Sequence, residues 1–464
     1  MLKKFFLYFA AFTVLFAGSF RLYCNFFGSA SAAQNADVSE AAQTAESTAQ
    51  TAGATVETAK STALTVGSTT RATAGSNLQT TADSKAGSDI KTAAFNEVAC
   101  LETDADDSFT VYSDAPKVPA AAAALLNADT GNLIAAQNET RKLPMASTTK
   151  IMTALILCER ANLNDEVVCT KEMVTVEGSS MGLQVGDRVS YRALLYGMML
   201  PSGNDAATTT AISLGGSLEN FQQIMNDRAK ALGLENTHFV TPSGLDAEGH
   251  YTTAADLAKL AFFAMKNETF KEAVGTEKIV VEYGNPPYRR YLKGHNKLMN
   301  CYDGTIGIKT GYTKKSGRCL VSAAKRNGCT LIAVTLNDAN TLESHKTLLN
   351  YGFKKISSHS FSLPKEIAPP AVISGSGRAK LSVDFFSLGL SDRELERLSY
   401  RVSIKPFVYA PLKESTVIGR IDYYIGSELL ATVPIKTQNA VSLSGGRTAT
   451  FFERFLRNAK RLFA

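Results

Sequence analysis

The chain has 464 residues, 45% hydrophobic and 20% charged, with a formal net charge of +6. That length holds two folded domains with further segments besides. The positive excess sits at the ends, in Lys3, Lys4 and Arg21 and in Arg447, Arg454, Arg457, Lys460 and Arg461, so the body between them is near neutral. A near-neutral body excludes a nucleic-acid-binding face and points the basic ends toward an anionic membrane.

Residues 1–32 read as a secretory signal peptide: a Lys3-Lys4 n-region, an apolar run from Phe5 to Phe20 and a small-x-small site at Ala30-Ser31-Ala32. Residues 33–105 are dominated by Ala, Thr, Ser, Gln and Gly and cannot bury enough apolar surface to offset their ordering entropy. They read as a low-complexity, disordered spacer. A folded domain is expected over 106–357. It begins with two apolar runs flanking Asp129-Thr130-Gly131, a hairpin signal. A helix is predicted from Ser147, with Ile151, Met152, Ala154 and Leu155 on its buried side. Further helical patterns cover Tyr191–Leu200, Asp205–Leu214, Leu218–Leu232 and Ala254–Met265. Strands are expected over Lys278–Glu282, Thr305–Thr313, Cys319–Arg326 and Cys329–Asn337, the last two joined at Asn327-Gly328, and a closing helix from Thr341. Strands, then helices, then strands and a helix imply an α+β domain with one sheet and a helical cluster. After the prolines 364, 369 and 370, short strand-like runs make 358–440 a small all-β domain.

Residues 447–464 carry Phe451, Phe452, Phe455, Leu456, Ala459, Leu462 and Phe463 at helical spacing, with the basic residues between them. This is the pattern of an amphipathic helix lying in a membrane interface. Of seven cysteines, none forms a Cys-x-x-Cys pair, and the five histidines are scattered. Neither an essential disulfide nor a metal or other cofactor is expected.

Three short motifs carry the chemistry. The first is Ser147-Thr148-Thr149-Lys150, opening a helix so that serine and lysine share a face near the positive end of the dipole. A lysine made neutral by desolvation and nearby positive charge can take the serine proton. Bare Ser-x-x-Lys is a weak signal, since Ser88-Asp89-Ile90-Lys91 in the spacer matches it too. The second is Ser202-Gly203-Asn204, in a loop where the hydroxyl can pass a proton to a leaving amine and the amide can hold a substrate carbonyl. The third is Lys309-Thr310-Gly311 in a strand, where Lys309 supplies positive charge for an anionic terminus and Thr310 a hydroxyl. Gly311 is expected to let an extended substrate lie along the strand edge.

With these motifs in this order, the chain resembles the serine D-Ala-D-Ala carboxypeptidases, the low-molecular-mass penicillin-binding proteins of peptidase S11 type. The blocks Pro144–Ala154, Glu177–Leu183, Leu200–Ala207, Gly244-Leu245-Asp246 with Thr253–Ala258, and Ala410–Gly419 are similar to that family as well. The resemblance implies a β-lactamase/transpeptidase-like catalytic domain followed by the family's β-domain. It implies Ser147 as acylated nucleophile, Lys150 as general base and Ser202 as proton relay. Asn204, Lys309, Thr310, Gly311 and Tyr312 would bind substrate, with the Ser147 and Tyr312 N–H groups as oxyanion hole. His295 falls where some members carry arginine. The implied partners are peptidoglycan peptide stems, β-lactam antibiotics and, through the C-terminal helix, the membrane; no nucleic acid is implied. The implied location is the outer face of the bacterial cytoplasmic membrane. A β-lactamase is the nearest rival, but no Glu-x-x-Leu-Asn run follows Ser202. A DD-endopeptidase shares the same residues, and a non-catalytic peptidoglycan- or penicillin-binding protein is the third reading.

Overall fold

A computed structural model describes residues 96–98 and 111–444. The leader, nearly all of the spacer and the helix expected over 447–464 lie outside the described residues.

The catalytic half is built on a five-stranded antiparallel sheet of β1 (Ala120–Asn127), β2 (Leu133–Gln137), β3 (Thr305–Thr313), β4 (Gly317–Arg326) and β5 (Cys329–Asp338), in the order β2-β1-β5-β4-β3. The expected hairpin is the β1–β2 pair, with Ala124 opposite Ala136. Asn327-Gly328 turns β4 into β5, with Arg326 opposite Cys329. β1 from Ala120 to Leu126 and the middle of β5, Leu331–Val334, are continuously apolar because both faces are covered. Ala122, Ala124, Ile332 and Val334 face one core with the helices α1 (Lys150–Arg160), α2 (Asn204–Gly215) and α3 (Ala254–Met265). Ala123, Leu125, Leu331 and Ala333 face a second core under α4 (Thr341–Lys355). The alanines of β1 leave room for helices to approach the sheet closely. β3 is an edge strand, so one row of its backbone groups is unpaired within the sheet.

α1 differs from the amphipathic helix expected. Every residue from Lys150 to Leu157 is buried, so it is the central helix of the cluster. Ser147 precedes it in a 3-10 turn, Ala146–Thr149. The Lys278–Gly284 strand forms a hairpin with Pro287–Lys293, a strand that the sequence reading did not include. Its proline and three charged residues hide the pattern, and only Leu292 is buried.

The β-rich half centres on Leu398–Ile404, Val417–Ile425 and Glu428–Thr437, paired in that order. The short strand Asn96–Val98, in the stretch read as spacer, pairs with Val402–Ile404. The two halves join through the carboxyl group of Glu394, which is buried. It accepts from Asn127 Nδ2 (3.0 Å) and Asn132 Nδ2 (3.1 Å), from Thr130 Oγ1, and from the Ser391 amide and hydroxyl at 2.8 Å each.

Candidate active site

The 3-10 turn places Ser147 one turn ahead of α1, half-exposed over a fully buried Lys150. Lys150 Nζ lies 2.9 Å from Ser147 Oγ, 2.7 Å from Asn204 Oδ1 and 2.7 Å from the Ser243 carbonyl. The second and third partners are acceptors only. The Asn204 amide is oriented because its Nδ2 donates to the Glu177 carbonyl at 2.7 Å. A neutral amine has two hydrogens and one lone pair. In that form the hydrogens of Lys150 would go to Asn204 Oδ1 and Ser243 O, leaving the lone pair for the Ser147 hydroxyl proton. Burial drives the Lys150 pKa well below its usual value, assisted by the positive charge of Lys309 and opposed by Asp205. The arrangement suits activation of the serine by an uncharged amine.

The turn is held on three sides. Ala146 has a left-handed φ of +48°, a conformation that needs external support. Its carbonyl accepts from Thr149 Oγ1 at 2.8 Å, and Thr149 Oγ1 lies 2.8 Å from His250 Nε2. The Val240 amide donates to His250 Nδ1 at 2.9 Å, so that nitrogen carries no proton and Nε2–H is the donor. Burial pushes the His250 pKa down to about 4, and the ring is neutral. Gly244 (φ +87°) passes so close that a Cβ there would stand 1.9 Å from the Ala146 carbonyl oxygen. On the third side a Cβ at Gly311 would be 3.0 Å from the Ser147 nitrogen. Gly311 therefore has a packing role beside the one expected. The space its side chain would fill is taken by the nucleophile turn, and the glycine lets β3 approach Ser147.

Lys309 is fully buried, not an exposed strand lysine, and its Nζ donates to the Thr310 carbonyl at 2.9 Å. Burial pushes its pKa down to about 7. Desolvation, and after it the charge of Lys309, lowers the pKa of His295 on the rim. Thr310 is half-buried and lines a cleft with His295, Arg318 and Asn340. Tyr312 is exposed. Ser202 is buried at a left-handed φ of +63° in the loop before α2. That strain is typical of a functional turn. The structure thus brings Ser147, Lys150 and Asn204 into direct contact, with Gly311 against the same turn and Lys309 close enough to act on Lys150 through its charge.

Sequence reasoning gave no role to Asp205. Its carboxylate accepts from Ser180 Oγ (2.6 Å) and from the amides of Met181 (2.9 Å), Gly182 (3.0 Å) and Leu183 (3.0 Å). This fixes the loop 180–183 to the Ser202-Gly203-Asn204 turn. Among the described residues no group of three or more His, Cys, Asp or Glu side chains is placed to hold a metal.

A family model described as D-alanyl-D-alanine carboxypeptidase, Peptidase_S11, matches residues 109–340, and one described as penicillin-binding protein 5, C-terminal domain, matches 381–442. D-alanyl-D-alanine carboxypeptidase DacC of Escherichia coli is 31% identical over 364 residues, covering 72% of this chain and 86% of that protein. A D-alanyl-D-alanine carboxypeptidase of a Streptomyces species, strain K15, is 37% identical over 257 residues, covering 51% of this chain and 88% of its own length. The crystal structure of D-alanyl-D-alanine carboxypeptidase DacD from Francisella tularensis superposes with a TM-score of 0.52 at 25% identity, over 73% of this chain and 98% of that one. With a serine and a buried lysine in contact at the head of its central helix and matches over both halves, the chain belongs to the D-alanyl-D-alanine carboxypeptidase family, peptidase S11.

Proposed function

We propose that this chain removes the terminal D-alanine from peptidoglycan peptide stems by two-step acyl transfer at Ser147. Lys150 takes the hydroxyl proton as the Ser147 oxygen attacks the carbonyl between the two D-alanines. The N–H groups of Ser147 and Tyr312 receive the oxyanion. The proton passes through Ser202 to the departing amine, D-alanine leaves, and water then hydrolyses the acyl-serine. Asn204 positions the substrate amide, and Lys309 with Thr310 engages its terminal carboxylate. A β-lactam enters the same pathway, its ring amide opened by Ser147. The observation that carries this reading is the buried Lys150 amine 2.9 Å from Ser147 Oγ, with its other two contacts used up by acceptors.

The test is mass spectrometry of an acylated tripeptide ending in D-Ala-D-Ala, incubated with the purified protein. The peptide is expected to lose one alanine. Ser147→Ala is expected to abolish both that loss and covalent labelling by penicillin, while full activity in the variant would refute the assignment. The protein acts after export across the cytoplasmic membrane, attached to its outer face by residues 447–464. The leader and the basic amphipathic pattern support this location.

A further inference from the structure

In the β-rich half, the strands Ala371–Ile373 and Phe407–Tyr409 form a parallel two-stranded sheet, with Ala371 opposite Phe407 and Ile373 opposite Tyr409. Val408 is buried, so it faces the core, and the alternate residues Phe407 and Tyr409 face outward, their rings 5.7 Å apart. Ile373 shares their exposed face. Tyr409 is 64% exposed and Val417 54%, and both line a groove with Phe407 and Lys405. A cluster of large apolar side chains beside a lysine is thus left facing water.

The end of the described chain lies at the same corner. Gly375 is bridged to Leu443, itself 57% exposed, and the Ser444 amide donates to the Ser374 carbonyl at 2.7 Å. The chain therefore leaves one residue from Ile373. Two glycines and Arg447 follow, and the aromatic, basic sequence begins at Thr448. Four residues reach roughly 14 Å at most. If that sequence lies on lipid, this corner is held within the same distance of the lipid surface.

We propose that the face of Ile373, Phe407, Tyr409 and Leu443, flanked by Lys405, is a lipid-contacting surface that seats the β-rich half on an anionic membrane beside the root of the terminal segment. Aromatic side chains with a basic neighbour match the membrane–water interface, where an apolar ring is buried and the polar tip stays wet. The proposal rests on the reading of 447–464 as a membrane anchor, and the experiment separates the two.

The chain contains no tryptophan. Tyr409→Trp in the full mature protein therefore places a single reporter on the face, and Tyr291→Trp places one on the catalytic-half hairpin, where Tyr291 is 81% exposed. Each is titrated with phosphatidylcholine vesicles with and without phosphatidylglycerol. Emission from the Tyr409→Trp reporter is expected to move to the blue and to be quenched by brominated acyl chains on anionic vesicles, with no change for the Tyr291→Trp reporter. The double variant Phe407→Ser/Tyr409→Ser is expected to partition about tenfold more weakly while keeping peptidase activity in solution. If the protein binds vesicles but the reporter at 409 does not respond, the anchor reading stands and this proposal falls. If it does not bind at all, both fall. An equal response at 291, or a shift at 409 that follows protein concentration without vesicles, also overturns it, the latter in favour of self-association.

Discussion

Lys150 and Lys309 are both buried, and among the described residues their Nζ atoms meet neutral oxygen atoms: a hydroxyl, an amide and a carbonyl for the first, a carbonyl for the second. The proposed chemistry needs the first neutral and the second charged. Burial lowers both pKa values, and the charge on Lys309 lowers Lys150 further, against the carboxylate of Asp205; the proposed chemistry requires that Lys150 lose its proton first as pH rises. The expected profile of kcat/KM is a bell. It rises as Lys150 loses its proton and falls above about pH 7 as Lys309 loses the charge that holds the substrate carboxylate. Lys309→Arg keeps a permanent charge in a differently shaped group. This variant is expected to lower the maximum rate and to move the alkaline limb upward by more than one pH unit. An alkaline limb unmoved by the substitution would remove Lys309 from that role.

The site motifs were legible in the sequence because each is local: Ser147 and Lys150 sit one turn apart, and Lys309 to Gly311 are consecutive in one strand. What holds them together was not. The Ser243 carbonyl, His250 and Gly244 act on the nucleophile turn from about a hundred residues away in the chain, through groups that no spacing rule singles out. The turn was also read as plain helix, and the close approach that explains Gly311 exists only once β3 and that turn are docked. Asp205 belongs to this scale as well, since it ties the loop 180–183 to the start of α2. Asp205→Asn puts an NH2 where acceptors are needed and strands buried amides, at a cost of about 2–4 kcal/mol. It also removes the carboxylate that raises the proton affinity of Lys150. The variant is expected to show a lower Tm, faster amide exchange at 181–183 and an acid limb of kcat/KM shifted to lower pH. A limb that shifts upward, or exchange that stays slow, would contradict this wiring.

Across the whole molecule the α+β catalytic half and the β-rich half were both visible as changes of texture, but the contact between them was not, because Asn127, Thr130 and Asn132 read simply as turn residues. In the structure all three point donors at Glu394, 262 to 267 residues later. Asn127 Nδ2 also donates to the Gly389 carbonyl at 2.8 Å, so the β1–β2 turn is stitched to the strand Phe386–Ser391 as well as to the carboxyl group. Glu394→Ala leaves those buried donors without an acceptor and opens a cavity between the halves, costing about 3 kcal/mol or more. Glu394→Gln keeps one acceptor oxygen and is expected to cost less. Because the joint lies away from the residues around Ser147, penicillin acylation at low temperature is expected to survive in both variants. Scanning calorimetry of Glu394→Ala is expected to show the β-rich half melting ahead of the catalytic half, and that of the parent protein a single transition. A single transition at the parental Tm in Glu394→Ala would mean that the two halves are coupled by apolar contact and that the Glu394 cluster adds nothing to their docking.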